Sequence, residues 1–270
     1  MSPADPSRPP EPLPDTVAQQ PPATSAEPGW EYAPTPPPSQ PPPREAQPFW
    51  NYQDVLLFVA FALPSLIVAV LLVQLVPPSR LFGKAFQALL AQLIWYALVF
   101  GALYFMLHAR YRAPFWRSLG WRFPFPGMLG VLIGGPVLAI VIGYAGYVLR
   151  TPNVQTPFQQ MFANRPTVVL FALFAVVVGP LCEELAFRGF LMPLLVRSFG
   201  AVAGIVATGA LFGLLHAPEY SWSWRHVLLI TAAGSAFGWV RYKTASTAAS
   251  TFMHSAYNLT QFAAFLSQSQ

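Results

Sequence analysis

From Trp50 to the carboxyl end the apolar residues run in long blocks separated by short polar clusters, without the strict alternation of a half-buried strand. With about 20 residues as the length that crosses a bilayer as a helix, the pattern predicts seven segments. They run near Val55 to Val76, Ala85 to Leu107, Met128 to Leu149, Val168 to Val196, Val202 to His216, Val227 to Val240 and Thr247 to Leu266. The fourth is too long for a simple crossing. Gly179 and Pro180 within it predict a break or kink, because proline lacks an amide donor and clashes with the preceding turn. A split there would make an eighth helix. The fifth and sixth are short enough to be partly re-entrant. Together these blocks predict an all-α fold, a polytopic transmembrane bundle of about seven or eight helices over residues 49–270.

Residues 1–48 break the pattern. Prolines crowd there, in runs such as Pro36 to Pro38 and Pro41 to Pro43, with Gln, Ser, Ala and Glu between them. The composition predicts a disordered, Pro-rich cytoplasmic tail. It lacks the basic start, apolar run and small-residue site of a secretory signal, so it is not expected to be removed. Such a tail is a solvated linker, with docking to an aromatic groove on some partner as the alternative.

Composition narrows the class. The 270 residues are 54% hydrophobic, 15% aromatic and only 9% charged, where a soluble domain carries nearer a quarter charged. The net charge of +5 does not indicate nucleic acid, because Lys and Arg are scattered through short connections instead of gathered on one face. They report orientation instead. With seven spans, the amino-terminal side receives Arg8, Arg44, Arg110, Arg112, Arg117, Arg122, Arg197, Arg241 and Lys243, and the other side Arg80, Lys84, Arg150, Arg165 and Arg225. The positive-inside rule then places the amino terminus in the cytoplasm and the carboxyl terminus outside. A bacterial inner membrane is the expected location. Trp50, Trp116, Trp121, Trp222 and Trp224 fall near segment ends, where indoles anchor at headgroup level. Gly127, Gly130, Gly134 and Gly135 predict close helix packing, with a dimer face as the lesser alternative. The single cysteine, Cys182, permits no intramolecular disulfide and no cysteine metal cage.

Three polar constellations remain inside apolar segments: Glu183, Glu184 and Arg188; Phe212 and His216; His254 and Asn258. A charged side chain at mid-membrane costs about 2.5 to 3.5 kcal/mol on insertion scales, so such groups mark a buried site. Glu184 and Arg188 are four apart, share a helix face and can pair. Glu183 then points about 100° away and is free for another task. Phe212 and His216 are one turn apart, as are His254 and Asn258. Taken singly, each constellation also has a structural explanation: a capped helix end, an interfacial histidine, an interhelical hydrogen bond. Cys182 as a thiol nucleophile beside His216 is a minor alternative, since buried cysteine is usually a small hydrophobe. His108 and His226 need only an interfacial explanation.

In combination, Glu-Glu-x-x-x-Arg, Phe-x-x-x-His and His-x-x-x-Asn, each on its own apolar helix, resemble the signature of the CPBP intramembrane proteases. That family contains the type II CAAX prenyl endopeptidases and the Abi proteins of bacteriocin processing and self-immunity. The resemblance covers the core 168–266 and matches Glu183, Glu184, Arg188, His216, His254 and Asn258. It implies hydrolysis of peptide bonds in the membrane, possible CAAX-type activity on a prenylated substrate included. Glu183 would be the general base and His216 would hold the water. His254 and Asn258 would stabilise the oxyanion, and Glu184 and Arg188 would brace the site. Members have been described both as metalloproteases and as metal-independent glutamate proteases. Zinc is therefore open, with Glu183, Glu184, His216 and His254 as candidate ligands, although the compact His-Glu-x-x-His helix is missing. Two other classes stay open: a non-catalytic membrane immunity or scaffold protein of the same fold, and a transporter or proton relay, against which no repeat with paired broken helices is seen.

Overall fold

The computed structural model describes residues 48–75, 84–125, 127–154 and 165–268. The Pro-rich stretch, residues 1–47 of the 1–48 region, lies outside the described residues. Among the described residues the fold is all helical: α1 (Tyr52–Gln74), α2 (Lys84–Tyr111), a single turn α3 (Phe115–Ser118) and α4 (Met128–Val148) lead to a long helical run, α5, over 165–199. After it come α6 (Ala201–Leu215), a 3₁₀ turn (Ala217–Tyr220), α7 (Trp224–Thr244) and α8 (Thr247–Gln268). Among the described residues four helices are long and apolar enough to cross a membrane: α1, α2, α4 and, over Val168–Phe199, α5. Their large side chains face outward, as Leu56, Leu63, Ile67 and Leu129 do, each at least 55% exposed. Lipid tails accept such side chains where water would not. The protein is an integral membrane helix bundle.

The seven expected segments are all present as helices, with two corrections. The run α5 does not break at Gly179–Pro180. It continues through two wide π-helical stretches, Phe174–Val178 and Leu185–Leu191, which flank a short α-helical piece, Gly179–Glu184. The first widened turn precedes Pro180, where a tight α-turn would meet the pyrrolidine ring. The eighth helix is α3, not half of a split fourth segment. The second correction is α7, which runs to Thr244 instead of stopping near Val240.

Polar ties fix one end of the bundle. Asn51 caps α1: its Oδ1 accepts from Gln53 N at 2.8 Å, while Asp54 Oδ2 accepts from Asn51 N at 2.9 Å. Asp54 is fully buried and also accepts from Tyr111 Oη at 2.6 Å, joining the start of α1 to the end of α2. Trp50 is only 2% exposed, so it is not the expected interfacial anchor; its Nε1 donates to the Phe190 carbonyl at 3.0 Å and its ring stacks on Phe190. Thr247 Oγ1 donates to Leu119 O, and Ser246 Oγ to Arg122 O, tying the α7–α8 corner to the α3 turn. Around these bonds Leu103, Leu107, Leu119, Leu185, Phe190 and Leu194 form a closed apolar layer.

Close backbone approaches set the rest of the packing. Of the α4 glycines, Gly135 lies against α8, where an added Cβ would come within 2.6 Å of Met253 O and Ala256 Cβ; Gly127 and Gly130 have open space around them. Gly209 and Gly213 let α6 lie directly on α7 at Ser235 and Thr231. Helix contact explains Gly135, Gly209 and Gly213.

Candidate active site

The six motif side chains reach one locality from α5, α6 and α8. On α5 the piece between the two π stretches carries Glu183 and Glu184 on different faces. Glu184 points inward and is fully buried, whereas Glu183 is 25% exposed at its side chain and lines a cavity of about 590 Å³.

The buried half is a hydrogen-bonded unit. Glu184 Oε1 accepts from Arg188 Nη1 at 2.8 Å, the pairing expected from their four-residue spacing, and from His254 Nδ1 at 3.0 Å. Arg188 is also fully buried; its Nη2 donates to the Gly234 carbonyl at 2.6 Å and its guanidinium lies 4.7 Å from the Phe212 ring centroid. Gly234 makes that bond accessible, since a Cβ there would sit 3.0 Å from Arg188 Nη2. Two opposite charges that share hydrogen bonds with a third group offset much of their desolvation, which neither could bear alone.

The imidazole of His254 links this unit to the cavity. With Nδ1 donating to Glu184, its Nε2 faces Glu183 Oε2 at 3.8 Å. Phe237 fixes the ring by stacking, with centroids 4.4 Å apart. His216 sits at the carboxyl end of α6, where its Nδ1 donates to the Phe212 carbonyl one turn back at 2.8 Å. That bond sets the tautomer and leaves Nε2 as an acceptor on the cavity side. The ring rests on Phe212 at 4.4 Å, the contact expected from the Phe-x-x-x-His spacing. Asn258 lines the cavity too, and its Nδ2 donates to the Ala175 carbonyl at 2.8 Å. Ala175 belongs to the first π stretch, and Phe190, the partner of Trp50, to the second. Widened turns leave carbonyls for such side-chain donors, so the two stretches are held by bonds from distant parts of the chain.

Among the cavity-lining residues outside the sequence motifs are Glu219, Tyr220 and Tyr257. Glu219 and Tyr220 come from the 3₁₀ turn after His216, and Tyr257 precedes Asn258. An acidic residue three positions past His216, at the end of a short apolar block, was the one signal available for Glu219. His226, read as merely interfacial, stacks on Tyr220 at 4.6 Å and also lines the cavity. Cys182 lines a separate apolar groove with Tyr96, Phe100 and Trp116, away from His216, so the thiol nucleophile has no base beside it.

The candidate zinc ligands do not assemble into a metal-holding set. Among the described residues no three His, Cys, Asp or Glu side chains converge as one. Glu184 and His254 are already bonded to each other, with the Arg188 guanidinium on the same carboxylate oxygen.

Comparison with known proteins agrees with the motif resemblance. Residues 165–260 match the family model described as type II CAAX prenyl endopeptidase Rce1-like. The match begins at the first residue of α5 and includes all six motif residues. Neither the curated proteins nor the solved structures gave a match.

Proposed function

We propose that the protein is an intramembrane endopeptidase in which Glu183 activates a water in the α5–α6–α8 cavity. The observation that carries this reading is the division of labour between the two adjacent carboxylates. Glu184 is consumed by Arg188 and His254, whereas Glu183 faces the cavity with one histidine Nε2 at 3.8 Å and no hydrogen bond from the described residues. A general base needs that combination of water access and restricted surroundings.

Glu183 takes a proton from the water as its oxygen attacks the scissile carbonyl. His216 Nε2, the lone-pair nitrogen on the cavity side, orients the same water by accepting its second proton in a hydrogen bond. In its protonated form His254 donates from Nδ1 to Glu184 and presents Nε2–H toward the developing oxyanion. The Asn258 carboxamide has a second N–H beyond the one given to Ala175, and this supplies the other donor. Donors prearranged in a water-poor cavity contribute about 3 to 4 kcal/mol each to transition-state stabilisation. The proton held by Glu183 then passes to the leaving amine. The CAAX-type specificity of the matched family makes a prenylated carboxyl-terminal peptide the first substrate to try.

The test uses purified protein in detergent and a fluorogenic peptide panel that includes a prenylated CAAX peptide. His216→Ala is expected to abolish turnover while Cys182→Ala retains it, and a strong zinc chelator to leave the wild type unchanged. Loss of turnover in Cys182→Ala, or its retention in His216→Ala, would overturn the assignment.

A further inference from the structure

The cavity lies toward one end of the bundle. Its deep wall is formed by Glu183, Phe237 and His254, and every connection that lines it comes from the same end: Thr151 and Val154 after α4, and Glu219 and Tyr220 after α6. Arg225 Nη1 donates to the Arg150 carbonyl at 2.7 Å, which joins the end of α4 to the start of α7 at that mouth. The mouth exists because α6 has only 15 residues and rises about 22 Å, less than the roughly 30 Å hydrocarbon layer. His216 and the turn behind it therefore stop inside the membrane, leaving a funnel from that side.

The opposite end is sealed by the layer around Leu119 and Phe190 and by the bonds of Ser246 and Thr247. It is also the basic end. Arg197 Nη1 donates to the Pro48 carbonyl and Arg241 Nε to Thr247 Oγ1, which locates the ends of α5 and α7 beside the start of α1. Arg110, Arg112, Arg117, Arg122, Arg197, Arg241 and Lys243 make seven cations there. Among the described residues the cavity end has four: Lys84, Arg150, Arg165 and Arg225. Short connections rich in Lys and Arg stay in the cytoplasm.

We infer that the cavity opens on the extracytoplasmic face, and that its substrate is a polypeptide segment presented there, the juxtamembrane or translocated part of a membrane-anchored chain. A carboxyl-terminal peptide displayed in the cytoplasm meets the sealed end. The substrate half of this inference rests on the proteolytic reading; the sidedness does not.

The experiment has two arms in intact bacterial cells expressing the full chain in a Cys182→Ala background. In the first, single cysteines at Trp222, 69% exposed beside the mouth, and at Phe199, 63% exposed at the basic end, are reacted with a membrane-impermeant maleimide. Trp222→Cys is expected to label at least tenfold more than Phe199→Cys, which labels only after permeabilisation. The reverse pattern overturns the sidedness. In the second arm, new chain termini in cells with active protein are compared with those in cells carrying Glu183→Gln. Glu183-dependent cuts are expected in extracytoplasmic segments; cuts confined to cytoplasmic segments overturn the substrate assignment. Correct labelling with no Glu183-dependent cut leaves the sidedness standing, and overturns the substrate half by removing the proteolytic reading beneath it.

Discussion

His254 Nδ1 lies 3.0 Å from Glu184 Oε1, on the same carboxylate oxygen that accepts from Arg188 Nη1 at 2.8 Å, so the imidazole that faces the cavity is oriented by a buried ion pair. That arrangement makes stability and activity separable. Arg188→Ala leaves a buried carboxylate without its counter-ion, and breaking a buried pair in this way costs about 3 to 5 kcal/mol. A combined Glu184→Gln and Arg188→Met change removes both charges and is expected to recover much of that stability, but not turnover, because Nδ1 loses its charged acceptor. Thermal unfolding in detergent beside peptide cleavage checks both halves; recovery of turnover in the double variant would refute the positioning role.

Gly234 is expected to be intolerant for a steric reason. A Cβ at this position meets Arg188 Nη2 and Phe212 Cδ1, both at 3.0 Å, whereas Gly130 has nothing within 4 Å. Gly234→Ala should destabilise the protein by about 1 to 3 kcal/mol, the usual cost of overpacking. Gly130→Ala should be close to neutral in the same unfolding measurement. Equal midpoints for the two variants would contradict the packing account.

The tie from α8 to the first π stretch gives a smaller effect. Asn258→Ala removes the donor to Ala175 O, and interhelical hydrogen bonds in membrane proteins are worth about 0.6 kcal/mol on average. The variant should therefore fold almost as the wild type does, yet lose an oxyanion donor and with it about 100-fold or more in turnover. Cleavage within threefold of the wild type would remove Asn258 from the mechanism.

The helices and motif positions were legible because long apolar blocks and four-residue spacings are local properties. Pairing of Glu184 with Arg188 followed from helix geometry alone. The π stretches were not legible, since their spare carbonyls are taken by Trp50 and Asn258, residues distant in sequence. Arg241 hid the end of α7: it closes the apolar block at Val240, yet its Nε donates to Thr247 Oγ1 and the helix continues beneath it. Glu219 was missed because it lies on a turn past the motif helix, where spacing rules do not reach.

The most direct measurement compares wild type with Glu183→Gln on the peptide panel in detergent, with unfolding midpoints recorded for the same preparations. Glu183 accepts no hydrogen bond from the described residues and its side chain is 25% exposed, so the change should leave the midpoint unchanged. Loss of the general base should lower cleavage by at least about 100-fold. Wild-type turnover in Glu183→Gln, or no cleavage of any peptide by the wild type, would contradict the account.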